Sequence, residues 1–166
     1  PTEKTTVFRG MERGLIPMTE KNVVKVLVPA GALGIPYDKD ALAKGLTFKP
    51  DLIAIDGGST DSGPFYLGTG TSKYSRSSTK SDWGELMMAR AKIGVPLLIG
   101  TAGTCGTSST VDWLVDITKE IASERHETLT IAVLKSDQSA ANINKAVLLG
   151  RMHPLEGAPA LTSEII

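Results

Sequence analysis

Residues 50–58, Pro50-Asp51-Leu52-Ile53-Ala54-Ile55-Asp56-Gly57-Gly58, carry the pattern on which the fold turns. Leu52 to Ile55 is continuously apolar rather than alternating, which suits a strand covered on both faces, as in a parallel sheet. Asp56 and the glycine pair then end the run with turn chemistry. Three more short runs rich in Val, Ile and Leu flank it: Val23 to Val28, Val95 to Ile99, and Leu129 to Leu134. Between them the spacing predicts helices over Asp38 to Leu46, Asp82 to Ile93, Thr110 to His126 and Asp137 to Leu149. Asp38 suits an N-cap, and Gly94 with Pro96 supplies a stop. In the third helix Val111, Leu114, Val115, Ile117, Thr118 and Ile121 share a buried face, with Lys119, Glu120 and Glu124 turned outward. Strands alternating with helices imply crossover connections and a layered α/β sandwich around a mainly parallel sheet of at least four strands.

Outside this body, residues 1–22 hold scattered Gly, Pro and charge without a sustained period and read as an N-terminal arm. Residues 23–150 form the α/β domain. Residues 151–166 form a tail containing Pro154, Gly157 and Pro159 and ending in Ile165-Ile166. Two terminal isoleucines are expected either to dock on a partner or to mark a chain cut from a longer one.

The 166 residues carry 18 basic and 18 acidic side chains, a formal charge of zero. This balance argues against nucleic-acid binding, which rests mainly on excess Lys and Arg. No stretch approaches the roughly 20 apolar residues of a membrane span. One cysteine, Cys105, excludes an internal disulfide framework or a cysteine-based zinc cluster. A cytoplasmic protein is expected, with no nucleic acid or membrane among its partners.

In an open parallel sheet, ligands bind beyond the carboxyl ends of the strands. The unusual residues of this chain cluster there, in residues 29–36, 56–64, 100–109 and 136–139. Loops so rich in Gly, Ser and Thr would make a polar floor of N–H groups and hydroxyls suited to a carboxylate or phosphate; tight βα turns alone also favour such residues. Asp56 ends a strand and Asp61 follows across two glycines. Two such carboxylates suit a shared hard cation, an acid–base pair or a substrate hydroxyl, or else they cap the turn locally. Gly57, Gly58, Ser59, Thr60, Ser62, Arg76, Thr101, Gly103, Thr104 and Cys105 make up the expected substrate-binding set. Residues 65–81 read as a long loop in which Arg76 clamps an anion or stands as a solvated charge, and Tyr66 and Tyr74 line a pocket or pin the loop. Cys105 suits either a nucleophile near a helix start or a small buried hydrophobe. His126 and His153 fall away from the strand-end face, and Trp83, Trp113, Met87 and Met88 read as helix-face core. Neither G-x-G-x-x-G after the first strand nor G-K-[ST] occurs, so a dinucleotide or nucleoside triphosphate has no support. The residues leave cofactor and metal unassigned.

The runs Lys25-Val-Leu-Val-Pro-Ala-Gly31, Pro50 to Gly68 and Pro96-Leu-Leu-Ile-Gly-Thr-Ala-Gly-Thr104 resemble the N-terminal region of the acyclic terpene utilisation family, from about Val23 to the tail. Asp56-Gly-Gly-Ser-Thr-Asp-Ser-Gly-Pro64 is the most specific element. The resemblance implies a Rossmann-like domain and a link to catabolism of branched acids or their coenzyme A thioesters; some members carry lyase-type names. Family members are longer, so the expectation is a truncated form or one subunit of a split enzyme. The functional expectation is part of a lyase or hydro-lyase acting on a small carboxylate or acyl-CoA. Asp56 serves as base or metal ligand with Asp61 assisting, and a second chain or a homo-oligomer completes the assembly. The alternative is a non-catalytic binding or assembly subunit.

Overall fold

A computed structural model describes residues 5–7, of which only the backbone, and residues 23–58, 64–162, 164 and 166. The elements run β1 (Thr5–Val7), β2 (Val26–Leu27), α1 (Lys39–Thr47), β3 (Leu52–Asp56), α2 (Pro64–Thr69), α3 (Arg76–Ile93), β4 (Leu97–Gly100), α4 (Ser108–Glu124), β5 (Ile131–Val133) and α5 (Ala140–Leu148). Residues 1–135 form one compact unit and residues 136–166 another.

In the first unit β2, β3 and β4 form a parallel sheet in that order, with Leu27 opposite Ile53 and Ile53 opposite Leu97. Parallel neighbours need a crossover between them, and here α1 joins β2 to β3 while α2 and α3 join β3 to β4. Ile53 and Ile55 point into a core built from Leu42 of α1, Trp83, Leu86 and Met87 of α3, and Leu114, Ile117 and Ile121 of α4. One helical layer therefore covers one sheet face.

The opposite face differs from the expectation of strands covered on both sides. Ile53 is fully buried, yet Val26 is 50% and Leu98 61% exposed. Period-2 geometry sends alternate residues to opposite faces, and only the inward set meets the helices. Among the described residues this sheet has three strands. The fourth apolar run becomes β5, which pairs in parallel with β1, Thr5 opposite Ile131 and Val7 opposite Val133. The expected arm thus contributes a strand.

The helices begin where side chains can take up their first N–H groups. Asp38 accepts from Asp40 and Ala41 at α1, Ser75 from Ser78 at α3, and Thr107 from Thr110 at α4. The expected long loop over residues 65–81 instead holds α2 and the first turns of α3, which starts six residues before the expected Asp82. Between α3 and α4 the Trp83 indole N–H donates to Thr118 Oγ1 at 2.8 Å, and that hydroxyl donates to Leu114 O at 2.7 Å. Both buried polar groups are thereby paired. Trp83 and Met87 are core, whereas Met88 is exposed and Trp113 only partly buried.

In the second unit Ser139 caps α5 through the Asn142 N–H, and Leu149 closes it. No residue of α5 is fully buried. No helix among the described residues is long and apolar enough to cross a membrane.

Candidate functional site

Asp56 is the last residue of β3 and pairs in register with Gly100, the last of β4. Pleating turns its side chain to the face away from Ile55, and it is exposed. Its Oδ1 accepts the Gly58 N–H at 3.0 Å and the Thr101 hydroxyl. The same hydroxyl lies 2.8 Å from Gly58 O. A threonine hydroxyl has one proton, so Asp56 and Gly58 O compete for it. The carboxylate is therefore oriented by its own turn and by a residue from the next strand-end loop.

Three strand-end loops converge here. Leu33 N–H donates to Asp56 O at 2.8 Å, joining the loop after β2. Gly57 N–H donates to Gly100 O at 2.7 Å and Thr104 N–H to Gly57 O at 3.0 Å, joining the loops after β3 and β4. Close approach demands the glycines: a Cβ on Gly57 would lie 2.7 Å from Gly100 O, and one on Gly58 2.4 Å from Thr104 Cα. Thr101 and Thr104 both hold positive φ, 46° and 82°. That is uncommon for β-branched residues and marks backbone held by its surroundings.

Convergence also corrects the expectation of a floor of donors. The N–H groups of Gly57, Gly58, Thr104 and Gly106 are engaged within the loops. Thr104 is buried, its Oγ1 accepting from the Lys73 N–H at 3.0 Å and lying 3.3 Å from Ser72 Oγ, so it braces the α2–α3 link. Gly103 packs on Thr110, where a Cβ would come within 2.6 Å. Ser59, Thr60, Asp61 and Ser62 lie outside the described residues.

Cys105 is a free thiol, 8% exposed, with Sγ 3.6 Å from Thr110 Oγ1 and 3.7 Å from Thr107 Oγ1. Burial pushes the thiol up. Hydrogen bonds to the sulfur from the Thr107 N–H, the Thr110 and Thr107 hydroxyls and its own N–H outweigh it, leaving Cys105 below the ordinary thiol range.

Among the described residues Arg76 pairs with α4. It is the first residue of α3, and its Nη2 meets Glu120 Oε2 of α4 at 2.5 Å. Lys80 Nζ reaches Glu120 and Glu124, each at 2.6 Å. The Arg76 hydrogen bond, then that of Lys80, holds Glu120 down at about 2.

A second charged cluster is absent from the sequence reading. Glu85 of α3 accepts from Tyr37 at 3.0 Å and from Lys39 at 2.5 Å, tying the loop after β2 and the start of α1 to α3. Burial, then the Glu85 charge, raises Asp82, and the Gly34 N–H opposes that rise. The Lys39 hydrogen bond lowers Glu85, whereas burial raises the Tyr37 phenol. The carboxylates three residues apart on one helix were the available signal. Their partners from the preceding loop were not visible in it.

Among the described residues no group of three or more His, Cys, Asp or Glu side chains is placed to hold a metal. The arrangement presents one exposed, oriented carboxylate at the carboxyl edge of a parallel sheet. No family model, curated protein or solved structure matches the chain.

Proposed function

We propose that this chain is a subunit, or the N-terminal part, of a lyase or hydro-lyase of the acyclic terpene utilisation type, acting on a small carboxylate or its coenzyme A thioester. Asp56 is the base in this reading. The observation that carries it is the clamp on Asp56: an exposed strand-end carboxylate fixed by the Gly58 N–H and the Thr101 hydroxyl at the meeting point of three loops. Abstraction of a proton next to a carbonyl needs a carboxylate fixed in direction and reachable by substrate. Asp61 is the assisting carboxylate. The Rossmann-like sandwich of four or more strands belongs to the same proposal, with further strands or a neighbouring chain over the open sheet face.

The test is proton exchange. The full chain is incubated in D2O with small carboxylates and their thioesters, and loss of the α-proton signal is followed by NMR. Asp56→Asn is expected to slow exchange by about 100-fold or more, the usual weight of a general base, with an unchanged thermal melt. Exchange at the wild-type rate in that variant, or none with wild type across the panel, rejects the assignment.

A second reading, a non-catalytic assembly subunit, is favoured by one observation: Val26, Val28 and Leu98 expose an apolar sheet face. Soluble proteins usually cover such surface with a neighbouring element or chain.

A further inference from the structure

A cleft of about 390 Å3 opens between the α2–α3 link and the start of α4. Thr71, Ser72, Tyr74 and Arg76 line one side, and Ser109 and Trp113 the other. Its volume lies at the low end of small-molecule sites, so it suits a compact ligand rather than a whole coenzyme.

The lining divides by chemistry. Arg76 brings a planar fork of donors, of which Glu120 engages Nη2. Its side chain is about half exposed. Hydroxyls of Thr71, Ser72 and Ser109 stand on the same walls. Ser109 Oγ lies 3.3 Å from Gly70 O and 3.1 Å from Thr107 Oγ1, Ser72 Oγ 3.3 Å from both Thr104 Oγ1 and the Tyr74 N, and Thr71 Oγ1 2.8 Å from Thr69 Oγ1, so an incoming anion competes with these internal partners for the hydroxyls. The remaining walls are the Tyr74 and Trp113 rings. Tyr74 is backed by Gly34, where even a Cβ would lie 2.6 Å from the ring, so this wall is held in place.

We propose that this cleft binds a small organic anion, a carboxylate or phosphate on a planar apolar body. Arg76 and the hydroxyls take the head, and Tyr74 and Trp113 flank the body. Asp56 does not line the cleft, so this inference goes beyond the base assignment and survives its failure. Glu120 is the internal competitor for Arg76: an incoming anion shares the guanidinium with it or displaces it. Removing the arginine and removing its carboxylate partner must then act in opposite directions on binding, although both break the same ion pair.

The experiment titrates the full chain with phenyl phosphate, benzoate and inorganic phosphate, following tryptophan fluorescence and, independently, calorimetric heat. Trp113 lines the cleft while Trp83 is buried in the core, so Trp113 reports occupancy. Saturable quenching by at least one organic anion is expected. Arg76→Gln should weaken it by about tenfold or more, through loss of a charge-assisted bond. Arg76→Lys, which keeps the charge and loses the fork, should fall between. Glu120→Gln should hold or tighten it a few-fold, about the weight of one exposed charge, while lowering the melting temperature at least as much as Arg76→Gln does, because Glu120 also pairs with Lys80. Three results each overturn the proposal: no saturable signal with any probe, equal weakening by Arg76→Gln and Glu120→Gln, or inorganic phosphate binding as tightly as the organic anions.

Discussion

Gly58 shows how tightly the strand-end loops are joined. It holds φ at +142°, where L side chains are strained, and any side chain would also collide with the Thr104 backbone. Gly58→Ala is expected to cost about 3 kcal/mol or more, since a forced φ alone costs about 1–3 and the clash adds to it. Urea denaturation of the two chains measures it, and a loss under 1 kcal/mol would mean that the loops separate easily. The turn itself was legible, because Asp-Gly-Gly after an apolar run signals a strand end within nine residues. The partner of Asp56 was not. Thr101 lies 45 residues away, and only folding brings its hydroxyl to that carboxylate. Thr104 and Gly103 carried the right composition for a polar floor, yet packing on Ser72, Lys73 and Thr110 decided their role.

Helices α1, α4 and α5 were legible to within a few residues, since caps and periodicity act over a single turn. The start of α3 was not. Arg76-Ser-Ser-Thr-Lys-Ser81 has poor intrinsic helix propensity, and the Ser75 cap together with ion pairs to α4 carries the helix through it. Those pairs give a pH signature. Glu120 is depressed from an ordinary 4.5 to about 2. Its folded value lies below the unfolded one, so the pairing stabilises fully above the ordinary carboxyl range and is lost as pH falls towards about 2. The difference in melting temperature between wild type and Glu120→Gln should be flat above about pH 5 and close on acidification. Because the pair is exposed, added salt should narrow the difference as well. A gap that persists at pH 2 would show that Glu120 contributes through packing instead of charge.

At the scale of the first unit, the described residues build a three-stranded parallel sheet under one layer of helices, and a two-stranded sheet in which β1 pairs with β5. The sheet face on which Val26 and Leu98 are exposed is the property to test. Wild type is expected to bind an apolar dye and to self-associate at high concentration, read by light scattering. Leu98→Lys should reduce both while shifting stability by no more than about 0.5 kcal/mol, as surface substitutions do. A wild type that neither binds the dye nor associates would dismiss the assembly reading. Short-range pattern in the chain was enough to specify α/β class, the order of most elements and the placing of Asp56 at a strand end, because strand period, caps and turns depend on residues a few positions apart. Strand β1, the pairing of Thr5 with Ile131, the one-sided burial of the sheet and the diversion of Arg76 to Glu120 required the folded chain. Each is a contact between segments far apart in sequence, selected by which surfaces pack best together.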